Sequence, residues 1–107
     1  MTSSHKQADL AKVKYSLEFD ARAKKEWDKL GSGIQLQFAK KLKGRLENPQ
    51  VEADKLRDMP GCYKIKLRSA GYRLVYEVIG ERLVITVISV GKREKGRVYD
   101  SAGVRLN

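Results

Sequence analysis

Residues 62–73 read Cys62-Tyr63-Lys64-Ile65-Lys66-Leu67-Arg68-Ser69-Ala70-Gly71-Tyr72-Arg73. At a period of two, Tyr63, Ile65 and Leu67 fall on one side and Lys64, Lys66 and Arg68 on the other. Side chains alternate across a β-strand, so this segment predicts a strand with one dry face and one triply cationic face. Like charges stacked on one face repel unless an anion meets them. A solvated surface and an anion-binding surface both fit the alternation alone, and what else converges on the stretch decides between them.

Downstream, the Ser69-Ala70-Gly71 turn leads into a second strand, Tyr72 to Ile79. Gly80-Glu81 turns the chain into a third, Leu83 to Val90, which is apolar on nearly both faces and therefore reads as central. Such close spacing favours an antiparallel meander. A two-residue turn at Gly80-Glu81 sets Val78 opposite Leu83, Tyr76 opposite Ile85 and Leu74 opposite Val87, all on the core side. Arg73, Val75 and Glu77 then face the other way. Arg73 must share its face with Lys64, Lys66 and Arg68, because a one-residue slip would bury its charge. Gly91 to Tyr99 reads as a loop bringing Lys92, Arg93, Lys95 and Arg97 off the same sheet, and residues 100–107 as a short terminal helix or tail.

Upstream, Val13, Tyr15, Leu17 and Phe19 alternate with polar residues, the pattern of a half-buried strand. Asp20 stands as an N-cap before a helix carrying Ala23, Trp27 and Leu30, which Gly31 ends. Ser32 is a candidate cap for a second helix with Ile34, Phe38, Leu42 and Leu46 on one stripe, closed by Asn48-Pro49. Trp27 and Phe38 are read as core. The expected fold is α+β, a mostly antiparallel four-stranded sheet with an N-terminal αα-hairpin on one face. Residues 1–12, polar and holding the lone His5, are expected to be a flexible extension before a single domain over 13–107.

A chain of 107 residues supports one modest core. The net charge of +10 is concentrated, with +6 in residues 61–99 and +4 in residues 20–47. A basic surface of this kind attracts nucleic acid, anionic membrane or an acidic protein. No apolar run is long enough to span a bilayer, and one cysteine permits no internal disulfide, so a cytoplasmic protein is expected.

The missing residue types limit the chemistry. One cysteine and one histidine cannot build a zinc cluster or a Ser-His-Asp set, and carboxylates are too sparse in the basic half for two metals. No metal or cofactor is expected. RNA can be cut without either, because its own 2′-hydroxyl attacks the adjacent phosphate. Such a site needs an arginine fork on the phosphate, lysines to neutralise charge and a group to move protons. Cations around a tyrosine favour its phenolate, and Tyr99, close in sequence to Arg93 and Arg97, is the best-placed candidate.

Phe19-Asp20, Lys25-Glu26-Trp27-Asp28-Lys29-Leu30-Gly31, Lys55-Leu56-Arg57-Asp58-Met59-Pro60, Cys62 to Arg68, Gly71 to Tyr76 and Val90-Gly91-Lys92-Arg93-Glu94 together closely resemble the RelE toxins of bacterial toxin–antitoxin pairs. The resemblance runs in unbroken order over about residues 13–100. It implies a microbial-RNase-like fold and a metal-independent endoribonuclease that cuts messenger RNA in the ribosomal A site. It carries catalytic roles to Lys64, Lys66, Arg73, Arg93 and Tyr99. Tyr99 or a lysine would be the base, Arg93 the acid or leaving-group stabiliser, and Arg73 with the lysines the phosphate clamp. Arg57, Arg68, Lys92, Lys95 and Arg97 would hold ribosomal or messenger RNA. The implied partners are the ribosome with its messenger and an acidic RelB-like antitoxin, with operator DNA bound only through the antitoxin complex and no membrane. Two rival readings are a ParE-like toxin that inhibits gyrase without cutting RNA and a plain basic nucleic-acid-binding module.

Overall fold

The computed structural model describes residues 14–94 and 96–106; the expected 1–12 extension, Val13 and Lys95 lie outside them. Strand β1 (Ser16–Phe19) leads into helix α1 (Ala21–Asp28), helix α2 (Ser32–Glu47) and a connector with a short 3₁₀ turn at Glu52–Asp54. Strands β2 (Cys62–Leu67), β3 (Tyr72–Ile79) and β4 (Val84–Lys92) follow, and helix α3 (Arg97–Leu106) comes last. The sheet order is β1-β4-β3-β2, with β2–β3 and β3–β4 antiparallel and β1 parallel to β4.

Asp20 caps α1 as expected. Its carboxylate accepts from the Arg22 and Ala23 amides at 2.8 and 3.4 Å, and the Arg22 side chain bonding to it holds its pKa below the usual range. The second helix differs slightly. Gly31 occupies its N-cap with no side-chain bond, and Ser32 is already helical. Gln35 Nε2 donates to the Trp27 carbonyl at 2.8 Å, tying α2 to the end of α1.

The apolar stripes of α1 and α2 close one face of the sheet. Ala23, Phe38 and Leu42 pack with Ile65, Leu67, Leu74, Tyr76, Ile85 and Val87, all nearly inaccessible to solvent. Trp27 lies half-buried between Phe19 and Phe38, its ring 5.4 and 6.2 Å from theirs. Tyr63 stacks on Tyr76 at 5.7 Å. The Tyr76 hydroxyl donates to the Pro49 carbonyl at 2.6 Å and accepts from Arg45 Nη1 at 2.7 Å, so its burial leaves no polar atom unpaired.

The β3–β4 register departs from the expected one. Gly80–Arg82 forms a 3₁₀ turn and Leu83 takes a left-handed conformation (φ 54°) on the surface, 43% exposed, instead of facing the core. The longer turn moves the pairing two residues along, to Val78 opposite Ile85 and Tyr76 opposite Val87. A shift of two preserves every side chain's face, so Leu74, Tyr76 and Val78 remain turned toward the helices. A bulge then inserts Ile88, after which Leu74 faces Val90.

The opposite face is not left open along its whole length. Helix α3 covers one end of it, burying Cys62, Val75, Ile88, Val98 and Ala102 together. Burial, aided by Glu77, pushes the Cys62 thiol up to about 11, which leaves it protonated and unreactive. The segment after Val90 differs from the loop that its sequence predicts. Gly91 and Lys92 continue β4 rather than opening a loop, and Arg97-Val98-Tyr99 form the first turn of α3. Gly96, at φ 74°, makes the left-handed turn between them that a larger residue would resist.

Candidate active site

The uncovered end of that face holds the cations. Lys66 and Arg73 are direct partners across β2 and β3, and Lys64 sits two residues along β2 on the same side. Arg68 lies just past the end of β2, exposed at the turn rather than stacked within the strand. Arg93 follows β4; its amide donates to the Gly71 carbonyl at 2.7 Å, which pins the segment beside the β2–β3 turn.

Tyr99 reaches this cluster from α3. Ser89 Oγ donates to the Val98 carbonyl at 2.7 Å, and Val98 and Ala102 are packed against the sheet. With those neighbours fixed, the Tyr99 hydroxyl accepts from Arg73 Nη1 at 3.1 Å, and the Arg73 guanidinium carbon lies 5.6 Å from the ring centroid. A strand arginine and a helix tyrosine 26 positions apart thus meet at one point.

Two clefts join there. One, of about 370 Å³, is lined by Arg57, Met59, Lys64, Lys66, Arg73 and Tyr99. The other, of about 310 Å³, runs past Lys66, Arg68, Tyr72, Arg73 and Arg93. Lys66 and Arg73 line both, so the cations border one groove rather than separate spots. A shallow depression beside it is lined by Arg73, Arg93, Arg97 and Tyr99. Repulsion from Lys64, then burial, then Arg73, Arg68 and Arg93 hold the Lys66 amine below the usual lysine range. An amine so placed gives up a proton more readily than a free lysine, and an anion in the groove would relieve the same repulsion.

Of the ten residues singled out from the sequence, Lys64, Lys66, Arg73 and Tyr99 share one cleft with Arg57, while Arg68 and Arg93 border the next. Arg97 touches the depression beside them. Lys92, exposed at the end of β4 opposite Tyr72, is not among the residues lining these clefts. Lys95 is outside the described residues. Two further residues border the site without standing out in the sequence: Asp58, a carboxylate on the Tyr99 cleft, and Tyr72, a half-buried ring on the cleft that Arg93 lines. Asp58 lies in a connector without periodicity, and Tyr72 carries no sequence signal beyond opening a strand.

Residues 17–96 match the family described as the ParE toxin of type II toxin–antitoxin systems, parDE. The chain is 62% identical over 92 residues to the Escherichia coli (strain K12) mRNA interferase toxin RelE, covering 86% of this chain and 97% of that one. It superposes on the free-state structure of a double arginine-to-alanine variant of E. coli toxin RelE with a TM-score of 0.82 at 60% identity, covering 88% of this chain and 99% of that one. It is also similar to the toxin of the intact E. coli RelBE toxin–antitoxin complex, with a TM-score of 0.73 at 64% identity over 76% of this chain and 99% of that one. Sequence likeness over nearly the whole relative, and the same α+β architecture around the groove, lead to one assignment: the chain belongs to the RelE toxins, within the ParE toxin family of type II toxin–antitoxin systems.

Proposed function

We propose that this chain is the toxin of a type II toxin–antitoxin pair and an endoribonuclease that cuts messenger RNA in the ribosomal A site by 2′-hydroxyl attack. The observation that carries the reading is the meeting of Lys64, Lys66, Arg73 and Tyr99 on one cleft, with Arg73 bonded to the Tyr99 hydroxyl. Its likeness to a protein named an mRNA interferase supports the substrate.

In this reaction a base takes the proton of the 2′-hydroxyl, and the freed oxygen attacks the adjacent phosphorus. The bond to the 5′-oxygen breaks, that oxygen receives a proton, and a 2′,3′-cyclic phosphate remains. Arg73 spans the phosphate with its planar fork while Lys64 and Lys66 neutralise the charge that builds on the equatorial oxygens. Tyr99, in hydrogen-bond contact with Arg73, or Lys66, with its lowered pKa, serves as base. Arg93, which borders the same depression as Arg73 and Tyr99, stabilises the leaving oxygen. Arg57, Arg68, Lys92, Lys95 and Arg97 hold ribosomal and messenger RNA through phosphate contacts. The translating ribosome puts the site of action in the cytoplasm, and residues 13–107 act as one catalytic domain. A net charge of +10 suits an acidic antitoxin, as the RelBE complex of its relative suggests, with operator DNA bound only through that partner.

Mapping cuts on a translated messenger, with the native chain, Tyr99→Phe and Arg93→Ala, tests the proposal. The native chain should cut within A-site codons and leave free RNA nearly intact. Tyr99→Phe should slow single-turnover cleavage by about 10²–10⁴-fold while ribosome binding persists. Equal cutting of free RNA, or a loss of binding alone, refutes the assignment. The family name attached to residues 17–96 favours one second reading, a gyrase inhibitor. Blocked supercoiling by gyrase with uncut messenger would select it.

A further inference from the structure

We infer that Glu26 and Arg105 are positioning residues for Tyr99, forming a clasp that seats α3 against the groove. This inference rests on the role given to Tyr99 above. The clasp lies where the sheet edge runs out of partner. β1 ends at Phe19, paired with Val87, so the following part of β4 has no strand on that side. Backbone groups left without partners at such an edge must be satisfied by water or side chains.

Glu26 and Arg105 supply that role together. Glu26 Oε1 accepts from the Val90 amide at 3.2 Å, and Arg105 Nη1 donates to the Ile88 carbonyl at 2.8 Å. The two side chains also pair in bidentate fashion, with Arg105 Nη1 donating to Glu26 Oε1 at 2.8 Å and Nη2 to Oε2 at 3.0 Å. Helices α1 and α3 are thereby joined around the edge, with the Arg105 side chain only 12% exposed. The clasp closes on the bulge itself, since Ile88 is the inserted residue.

Tyr99 depends on this seating because α3 is held at its two ends. Ser89 bonds the carbonyl of Val98 at the first turn, and the clasp holds the last. The six steps from Tyr99 to Arg105 rise roughly 9 Å along the helix. Among the described residues, the Tyr99 hydroxyl bonds only to Arg73, at 3.1 Å, so a small tilt of α3 separates them. A misplacement of about 1 Å at a reacting group can cost about 10²-fold in rate.

The test is a double-mutant cycle read by single-turnover cleavage on translating ribosomes. Arg105→Met should lower the rate by about 10²-fold in the native background, with ribosome affinity held within about twofold. In the Tyr99→Phe background the same change should have almost no effect, because the residue it positions is already disabled. Equal losses in both backgrounds, or no loss in the native one, overturn the inference. Should Arg105→Met fail to fold, Arg105→Lys and Glu26→Gln are compared with 3-fluorotyrosine at position 99. Its ¹⁹F resonance should move toward that of an exposed tyrosine, and should stay in place for Lys24→Ala, which removes a surface pair. An unmoved resonance in the clasp variants also overturns the inference. If Tyr99→Phe leaves cleavage intact, the role of Tyr99 falls, and the ¹⁹F shift still decides whether the clasp positions it.

Discussion

The two faces of the β2–β3 pair come from one alternating sequence and finish in opposite surroundings. Toward α1 and α2, Tyr63, Ile65, Leu67, Leu74 and Tyr76 are sealed in a continuous core. On the other side the pair divides. Cys62 and Val75 are buried under α3, whereas Lys64, Lys66 and Arg73 are only half-covered. Alternation assigns residues to faces, but it does not say how far a covering helix extends. A ten-residue helix is roughly 15 Å long. It shields the apolar end of the face and stops where the charges begin, with Tyr99 at the boundary.

Breaking the dry face should cost the most stability and the least chemistry. Phe38→Ala leaves a cavity between α2 and the sheet and should destabilise by about 3–5 kcal/mol in denaturant titrations. Molecules still folded should retain their per-site cleavage rate. Breaking the wet face should do the reverse. Arg73→Met removes both the proposed phosphate fork and the partner of Tyr99, and should lower single-turnover cleavage by about 10²–10³-fold. Its midpoint in denaturant should barely move, and a large drop would mean that Arg73 serves the fold rather than the site.

The smallest effect sharpens the comparison. Lys64 is the leading cause of the lowered Lys66 pKa, so Lys64→Met should raise the Lys66 titration, followed by NMR of its ε-carbon. The sign follows from linkage. A lysine whose pKa is lowered by folding carries a cost below its folded pKa, and that cost is relieved as pH rises toward the unfolded value. Lys64→Met should therefore flatten the alkaline rise in stability. A titration that does not move would place the two amines too far apart to interact.

Much of the site was legible because its parts are local patterns. The alternation of residues 62–67 and 72–79, the Asp20 cap and the cationic run after β4 are written within a few residues of one another. The β3–β4 register was not, because Gly80–Arg82 closes as a 3₁₀ turn and Ile88 is inserted by a bulge. The faces nevertheless match the expectation, since the turn shifts the register by two residues, which conserves parity, and the bulge at Ile88 takes up the third. The start of α3 was also hidden, because Arg97-Val98-Tyr99 continues a charged segment without any apolar period. Nor could spacing pair Glu26 with Arg105, which are 79 positions apart.

By itself the sequence determined what could be made: a strongly basic chain, strands with a charged side, and the lysines, arginines and tyrosine that the proposed RNA cleavage would use. These follow from side-chain chemistry and from periods of two and 3.6, which neighbouring residues are enough to express. Tertiary structure alone decided where the charges face open solvent and which tyrosine meets which arginine. Those outcomes depend on turn length, on one inserted residue and on where α3 comes to rest, all of which are fixed by contacts between distant parts of the chain.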